Sequence, residues 1–260
     1  IFILTNHLQE AEVRRQAHDI PVDNIISEPV RRDTAPAIAL GIGLIKAADP
    51  HGVMLVIPSD QLIQDQESFR TLMKAAMDTA AREKALVTVG IKPTWPCPSY
   101  GYIERGEEIQ SVPGCSCREV IQFREKPDTA TAASYLSRGN FCWNAGMFVW
   151  SIPAVCEQLD KHCPELASFV EHVAESPAPQ ETIREEFPAL TPISIDFALM
   201  EHADKLYMTQ SALSKRIKAL EQELKALKKQ LPKAKSANLS AFTTNVRTCL
   251  LYTSPSPRDY

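Results

Sequence analysis

The chain has 260 residues, of which 44% are hydrophobic and 23% are charged, so it can bury one sizeable core or a core with an appendage. Its formal net charge is −4 at pH 7. No stretch approaches the roughly 18 uninterrupted apolar residues of a membrane-spanning helix, and the first residues lack a signal-peptide pattern, so a cytoplasmic protein without a membrane partner is expected.

The first predicted elements alternate between strand and helix. Residues 2–5 form a short apolar run that predicts a strand, and Thr5 or Asn6 can cap a helix over residues 7–16. A second strand is predicted at 24–27. A helix then starts at Thr34, because Pro36 suits the first turn of a helix.

The next elements extend the same alternation. Residues 53–58 are an unbroken, largely β-branched run, which is typical of a strand covered on both faces. A helix over 66–84 and a strand over 85–91 follow. We therefore predict an α/β fold, with a Rossmann-like, mixed and mostly parallel sheet flanked by helices, plus a C-terminal amphipathic helix.

In open α/β sheets, ligands bind beyond the carboxyl ends of the strands, so the residues that follow each apolar run are candidate site residues. Glu28, Asp60 and Lys92 stand at such positions. Asp60 has two interpretations: it caps the following helix, or it binds Mg²⁺, which prefers carboxylates together with phosphate oxygens and water.

Six segments then occur in a fixed order along the chain. They are EPVRRDTAPAIAL (28–40), LVIPSD (55–60), YGYIERGE (100–107), FREKPD (123–128), WNAGMFVW (143–150) and SIDFALME (194–201). Together they resemble the GTP-dependent mannose-1-phosphate guanylyltransferases of bacteria, a family of sugar nucleotidyltransferases. The resemblance implies GTP and mannose 1-phosphate as substrates and Mg²⁺ as the cofactor.

The resemblance assigns nucleotide-side roles to the first two segments. Glu28, Arg32 and Thr34 match the family loop E-P-x-x-R-N-T-A-P, where Asp33 stands in place of the usual Asn. This change adds negative charge beside a polyphosphate, although helix-start N–H groups can still bind an anion. Asp60 matches the family's metal-binding aspartate and is therefore assigned both a catalytic and a metal role.

The resemblance assigns sugar-side roles to the later segments. Tyr100 and Gly101 match a segment in which glycine lets the sugar approach the backbone closely. Asn144 and Gly146 match the family's N-S/A-G segment, whose Asn amide binds a sugar hydroxyl. The same segment also carries large apolar residues that are predicted to be core rather than ligand contacts.

Glu125 and Lys126 match the family's E-K-P pair, in which the carboxylate holds sugar hydroxyls and the ammonium, assigned as catalytic, meets the sugar phosphate. A surface ion pair before a proline turn is the alternative. The implied reaction is attack by a phosphate oxygen of mannose 1-phosphate on the α-phosphorus of GTP. The attacking oxygen is already anionic, so no general base is required.

Two family motifs are not found in this sequence: the glycine-rich loop of the first strand and a later W-x-D-x-G segment. We therefore expect the chain as written to show no guanylyltransferase activity, which steady pyrophosphate release would refute. An alternative function is a non-catalytic module that binds a sugar nucleotide. Oligomeric state is left open, with a homo-oligomer as one option.

The sequence changes character after Met208. Residues 1–208 hold 18 Lys and Arg against 29 Asp and Glu, whereas 209–235 hold eight basic and two acidic residues. We divide the chain into an incomplete nucleotidyltransferase domain over 1–208, an amphipathic or coiled-coil helix over 209–232, and a disordered, foreign tail over 233–260. Residues 209–224 also resemble the recognition helix of LysR-type regulators, so a DNA-associated helix is a further, disfavoured alternative.

Overall fold

The computed structural model describes residues 1–112, 115–211 and 249–254, which form one mixed β-sheet with flanking helices. The strands are β1 (Phe2–Asn6), β2 (Ile25–Glu28), β3 (Val53–Pro58), β4 (Leu86–Ile91), β5 (Tyr102–Val112), β6 (Cys115–Arg124), β7 (Phe141–Ser151), β8 (Leu206–Ser211) and β9 (Cys249–Ser254). The helices are α1 (Glu10–Gln16), α2 (Thr34–Ala48), α3 (Gln66–Glu83), α4 (Thr129–Arg138), α5 (Ile152–His162), α6 (Pro164–Glu175) and α7 (Pro179–Glu186). None of the helices in these ranges is long and apolar enough to cross a lipid bilayer.

The strand order is β2-β1-β9-β3-β7-β4-β8-β6-β5, with a further pairing between β5 and β7. The pairings place β1 to β5 and β8 in one direction, and β6, β7 and β9 in the other. The predicted mixed sheet with flanking helices is confirmed, but the expectation that the sheet is mostly parallel is wrong, since most neighbouring strands pair antiparallel. Because β9 and β7 lie between strands of the main direction, directly parallel neighbours are confined to β1–β2 and β4–β8.

The core has one layer on each face of the sheet, and strand β3 contributes side chains to both layers. Val53 and Leu55 belong to one cluster of buried residues, which includes side chains of α3. Met54 and Val56 belong to the other, which includes α2, α5 and α6. This alternation explains why the strand reads as an unbroken apolar run, since side chains two apart share a face.

The predicted helix over residues 7–16 begins later than expected, at Glu10. The predicted cap Asn6 accepts a hydrogen bond from the Leu8 N–H at 3.0 Å, and the Gln9 N–H donates to the Asn6 carbonyl at 3.1 Å. Asn6 therefore closes a turn over the residues that follow it. Asn and Asp side chains favour such local turns over helix propagation.

The helix predicted to begin at Thr209 does not begin there, because residues up to Ser211 complete β8. Thr209 is fully buried, and its backbone lies in register with Val89 of β4 and Cys117 of β6. Pairing on both edges overrides the helical pattern that starts in this segment. Residues 212–248, with most of the predicted helix and its DNA-binding resemblance, lie outside the described residues.

Part of the tail predicted to be disordered forms a strand, β9. Its residues pair antiparallel with β1 on one side and with β3 on the other, so that Leu251 lies opposite both Phe2 and Val56. β9 is thus a central strand that links the β1–β2 pair to the rest of the sheet. The other residues of the predicted tail lie outside the described ranges.

Candidate functional site

The side chain of Asn144 on β7 is held in one orientation. The Gly146 N–H donates to its Oδ1 at 3.1 Å, and the Thr88 hydroxyl lies 3.0 Å from the same oxygen. The β4–β7 register shifts between Thr88 and Gly90, opposite this segment, and such bulges redirect side chains near functional sites. Because Oδ1 accepts these bonds, Nδ2 must face the other way, as a donor.

Gly101 and Glu125 lie against Asn144. The Asn144 N–H donates to the Gly101 carbonyl at 2.8 Å. A β-carbon added at Gly101 would stand 2.7 Å from Glu125 Oε2 and 3.4 Å from Asn144 Cβ. Only glycine therefore lets the backbone approach the carboxylate so closely, and three predicted sugar-side residues meet at one point.

Glu125 and Lys126 differ in exposure. The Glu125 side chain is only 6% exposed, whereas that of Lys126 is 55% exposed, and the ammonium lies 2.7 Å from Glu125 Oε1. Lys126 has a φ of 41°, in the left-handed region that disfavours a residue with a β-carbon. Such strain is retained at functional sites when the surroundings impose it. The predicted pair is thus a partly buried carboxylate with an accessible cation.

Asp196 completes this group, although no role was predicted for it from the sequence. Its Oδ1 accepts a hydrogen bond from Asn144 Nδ2 at 3.0 Å. Burial, together with the nearby negative charge of Glu125, raises the pKa of Asp196 to about 7, while the positive charge of Lys126 offsets part of this rise. The only sequence signal was its place in the motif at 194–201.

The loop that precedes α2 reaches the same group through Thr34. The Thr34 hydroxyl accepts from the Ile195 N–H at 2.9 Å, beside Asp196. Asp33, with a φ of 65°, caps α2 and accepts from the Thr34 N–H at 2.8 Å. The carboxylate at this position therefore occupies one of the helix-start N–H groups that were predicted to be able to bind an anion.

Arg32 and Glu28 lie at the two ends of this loop without reaching Asn144. An Arg32 guanidinium N–H donates to the Pro188 carbonyl, while its Nε is buried with no hydrogen-bond partner among the described residues. Burial raises the pKa of Glu28 to about 7, partly offset by the positive charge of Arg31. No described residue forms a hydrogen bond with the Glu28 carboxyl group.

The raised pKa of Glu28 makes stability depend on pH. Its folded pKa of about 7 exceeds the ordinary value of 4.5, so the native state binds the proton more tightly over that interval. The contribution of Glu28 to stability is full below pH 4.5 and is lost as pH rises through about 7. We expect Glu28→Gln to gain on the order of 1–3 kcal/mol relative to wild type between pH 4.5 and pH 8.

Thermal unfolding of the wild-type protein and of Glu28→Gln at pH 4.5 and at pH 8 measures this difference. Glu175→Gln, at the exposed end of α6, is the control for loss of a carboxylate. Equal changes in melting temperature for Glu28→Gln at the two pH values would contradict the assignment.

Asp60 is exposed and follows β3 at the same edge of the sheet. The neighbouring Gln61 donates from Nε2 to the Ala145 carbonyl at 2.6 Å, which places this loop beside the Asn144–Gly146 segment. No described residue forms a hydrogen bond or ion pair with the Asp60 carboxylate. Over these same residues, no cluster of three or more His, Cys, Asp or Glu side chains could hold a metal by itself.

Aromatic rings border the site near Gly101. Tyr100 is 46% exposed, and its ring centroid lies 5.1 Å from that of Trp143 in an edge-on arrangement. Trp143 is buried, as are Met147, Phe148 and Trp150, which confirms the prediction that these residues are core. Gly146 has a φ of 68°, which favours glycine and lets its N–H reach Asn144.

Comparison with known proteins shows which family and which proteins the chain is similar to. The nucleotidyl transferase family model matches residues 1–187. The chain is 38% identical over 208 residues to a mannose-1-phosphate guanylyltransferase of Sinorhizobium fredii, and 37% identical over 209 residues to one of Escherichia coli. These matches cover 76% and 78% of this chain but 39% and 43% of the relatives, so the chain spans about two fifths of their length.

Among solved structures, the fold is similar to a crystal structure described as mannose-1-phosphate geranyltransferase from Thermus thermophilus. The TM-score is 0.67 at 28% identity, and the match covers 80% of this chain and 58% of that one. The similarity supports the sheet and helix arrangement described above.

Proposed function

The chain belongs to the nucleotidyl transferase family, and from this premise we propose that it takes part in transferring a guanylyl group from GTP to mannose 1-phosphate. The products of that reaction are GDP-mannose and pyrophosphate. Neither of the two curated relatives has a name that points to a non-catalytic sugar-nucleotide-binding module, the alternative considered from the sequence. A cytoplasmic location, predicted from the sequence, is part of the proposal.

The observation that carries the proposal is the convergence of Gly101, Glu125, Lys126 and Asn144. Gly101 lies directly before β5, Glu125 and Lys126 lie directly after β6, and Asn144 lies in β7. The Asn144–Gly101 hydrogen bond and the close approach of Gly101 to Glu125 join these segments. This arrangement offers one amide donor, one carboxylate acceptor and one cation. These groups can bind the hydroxyls and the phosphate of a sugar phosphate.

Each residue has a distinct task in the proposed reaction. Asn144 Nδ2 donates to a sugar hydroxyl, the carboxylate of Glu125 accepts from another, and Gly101 leaves room for the ring. The ammonium of Lys126 exchanges its contact with Glu125 for the sugar phosphate. A phosphate oxygen then bonds to the α-phosphorus of GTP while the bond from that phosphorus to the pyrophosphate oxygen breaks.

The exposed carboxylate of Asp60 fits a role as a Mg²⁺ ligand. Mg²⁺ commonly binds through one or two carboxylates together with substrate phosphates and water, so Asp60 would supply a protein ligand and the substrate phosphates would supply others. When bound, the ion neutralises the charge of the polyphosphate. Glu28, Arg32 and Thr34 are proposed to border the nucleotide.

Isothermal titration calorimetry with mannose 1-phosphate tests the sugar side of the proposal. We expect saturable binding with one site per chain, and weaker or no binding of mannose and of inorganic phosphate. This order is expected because mannose 1-phosphate contacts both the hydroxyl-binding groups and the cation, whereas mannose and inorganic phosphate each contact only one of them. Equal affinity for inorganic phosphate, or no heat with mannose 1-phosphate, would contradict the proposed substrate.

A turnover assay is a separate test. The sequence-based expectation is that this chain alone releases no pyrophosphate from GTP and mannose 1-phosphate, and it remains a prediction. A coupled pyrophosphatase assay with added Mg²⁺ measures it. Steady release above a no-enzyme control would refute that expectation while supporting the proposed reaction.

A further inference from the structure

The π-helical turn Asp196–Met200 lies against both sugar-side segments. At its start, Asp196 Oδ1 accepts from Asn144 Nδ2 at 3.0 Å. Directly after it, Glu201 Oε1 accepts from the backbone N–H of Glu125 at 2.9 Å. One short turn therefore contacts the side chain of one proposed ligand group and the backbone of another.

The width of the turn explains how it makes both contacts. The Glu201 N–H donates to the Asp196 carbonyl at 3.0 Å, which is the i→i+5 bond of a π-helix. An α-helix turns about 100° per residue, so a residue five positions on would point about 140° away. The wider turn brings Glu201 back toward the face that carries Asp196. Single π-turns are frequent at functional sites.

The contact with Asp196 determines what Asn144 can offer a ligand. The Oδ1 atom already accepts from Gly146 and faces Thr88, and Asp196 takes one of the Nδ2 hydrogens. The described residues leave the other Nδ2 hydrogen for a ligand. Without the Asp196 acceptor, the Oδ1 contacts would still turn Nδ2 toward the site, but Nδ2 would lose its own partner and the direction of the ligand-facing hydrogen would be less firmly fixed.

The turn is also fixed from the side of α2. The Ile195 N–H donates to the Thr34 hydroxyl at 2.9 Å, and the Ala35 N–H donates to the Ile193 carbonyl at 3.0 Å. These bonds join the loop proposed to border the nucleotide to the residue that orients Asn144. The turn thus connects the two proposed halves of the site.

We propose that the π-helical turn is a positioning element of the sugar site, in which Asp196 orients the Asn144 amide and Glu201 fixes the Glu125–Lys126 turn. The biological meaning of this role rests on the proposed function. The hydrogen bonds themselves do not require a ligand. They can therefore be tested separately.

The first test uses the ligand-free protein. Nuclear magnetic resonance with ¹⁵N labelling detects the side-chain NH₂ pair of Asn144, assigned by its loss in Asn144→Asp. We expect slow exchange with solvent for the proton bonded to Asp196 and a large shift difference between the two protons. Asp196→Ala should abolish both features, whereas Asp196→Asn should retain them because its amide oxygen still accepts the bond.

A second variant, Glu201→Ala, keeps the proposal testable even if Asp196→Ala does not fold. Glu201→Ala should raise the exchange rate of the Glu125 backbone amide, and Glu201→Gln should restore protection. Unchanged Asn144 resonances in Asp196→Ala, or unchanged Glu125 exchange in Glu201→Ala, would overturn the assigned role of the altered residue, whether or not a ligand binds.

Titration with mannose 1-phosphate then tests the consequence. We expect Asp196→Ala to weaken binding by about tenfold and Asp196→Asn to stay within about threefold of wild type. Failure of the wild-type protein to bind would overturn the proposed function but not the positioning contacts seen by resonance. Wild-type affinity in Asp196→Ala would overturn the positioning role.

Discussion

Leu251→Pro is expected to destabilise the folded chain by about 1–3 kcal/mol, because proline cannot donate to the ladder of a central strand and leaves a backbone acceptor without its partner. The backbone of Leu251 lies in register with Phe2 of β1 and Val56 of β3. Disrupting β9 also removes the link between the β1–β2 pair and the rest of the sheet. Strand edges that become unpaired in this way promote aggregation.

Urea unfolding followed by circular dichroism measures this effect. A truncation that removes residues 255–260 is the matched control, since it leaves every residue of β9 in place. The control should unfold at the wild-type urea concentration. A Leu251→Pro protein with the same midpoint as wild type would show that β9 contributes nothing to the stability of the sheet.

Lys126→Gly is expected to weaken binding of mannose 1-phosphate by about tenfold to a hundredfold, because it removes a charge-assisted contact worth roughly 1.5–3 kcal/mol. The backbone should not be strained by this change, so any loss of stability reflects loss of the ion pair with the largely buried Glu125. Lys126 has a φ of 41°, and glycine adopts this conformation without steric cost. Affinity is therefore compared at a temperature at which thermal unfolding shows the variant to be folded.

The chain supplies a closely matched control in Lys84. This exposed lysine ends α3 with a φ of 46°, so Lys84→Gly removes the same side chain from the same backbone conformation. Calorimetric titration and thermal unfolding of both variants separate binding from stability. Equal affinities of the two variants for mannose 1-phosphate would contradict the role of Lys126.

Elements that leave a pattern within a few neighbouring residues, such as a strand buried on both faces or a helix start, can be predicted from the sequence. The strand at 53–58 was predicted from its unbroken apolar run and is observed as Val53–Pro58, with core on both faces. The predicted start of α2 at Thr34 is also observed. Capping and burial leave a signal within a few neighbouring residues, so a single sequence is sufficient for them.

Long-range pairing leaves no such local signal. Strand β7 lies antiparallel between β3 and β4, and β9 enters the sheet from a distant part of the chain. Thr209 carries a helix-like pattern but is paired on both sides. The strand order depends on which partners are available in three dimensions, so local propensity gave the wrong element there.

The candidate site divides in a similar way. Glu125, Lys126 and Asn144 were identified through resemblance to motifs, and the structure brings them together. Asp196 stands 52 positions from Asn144, and its contact depends on a π-helical turn that no sequence pattern predicted. Its environment, with a raised pKa and an amide partner, exists only after folding.

A crystal structure of the chain soaked with mannose 1-phosphate would test the central claim most directly. We expect the phosphate at the Lys126 ammonium, one sugar hydroxyl at Asn144 Nδ2 and another at the Glu125 carboxylate, with the ring against Gly101. Sugar density elsewhere on the molecule, or a phosphate that contacts neither Lys126 nor its neighbours, would contradict the account.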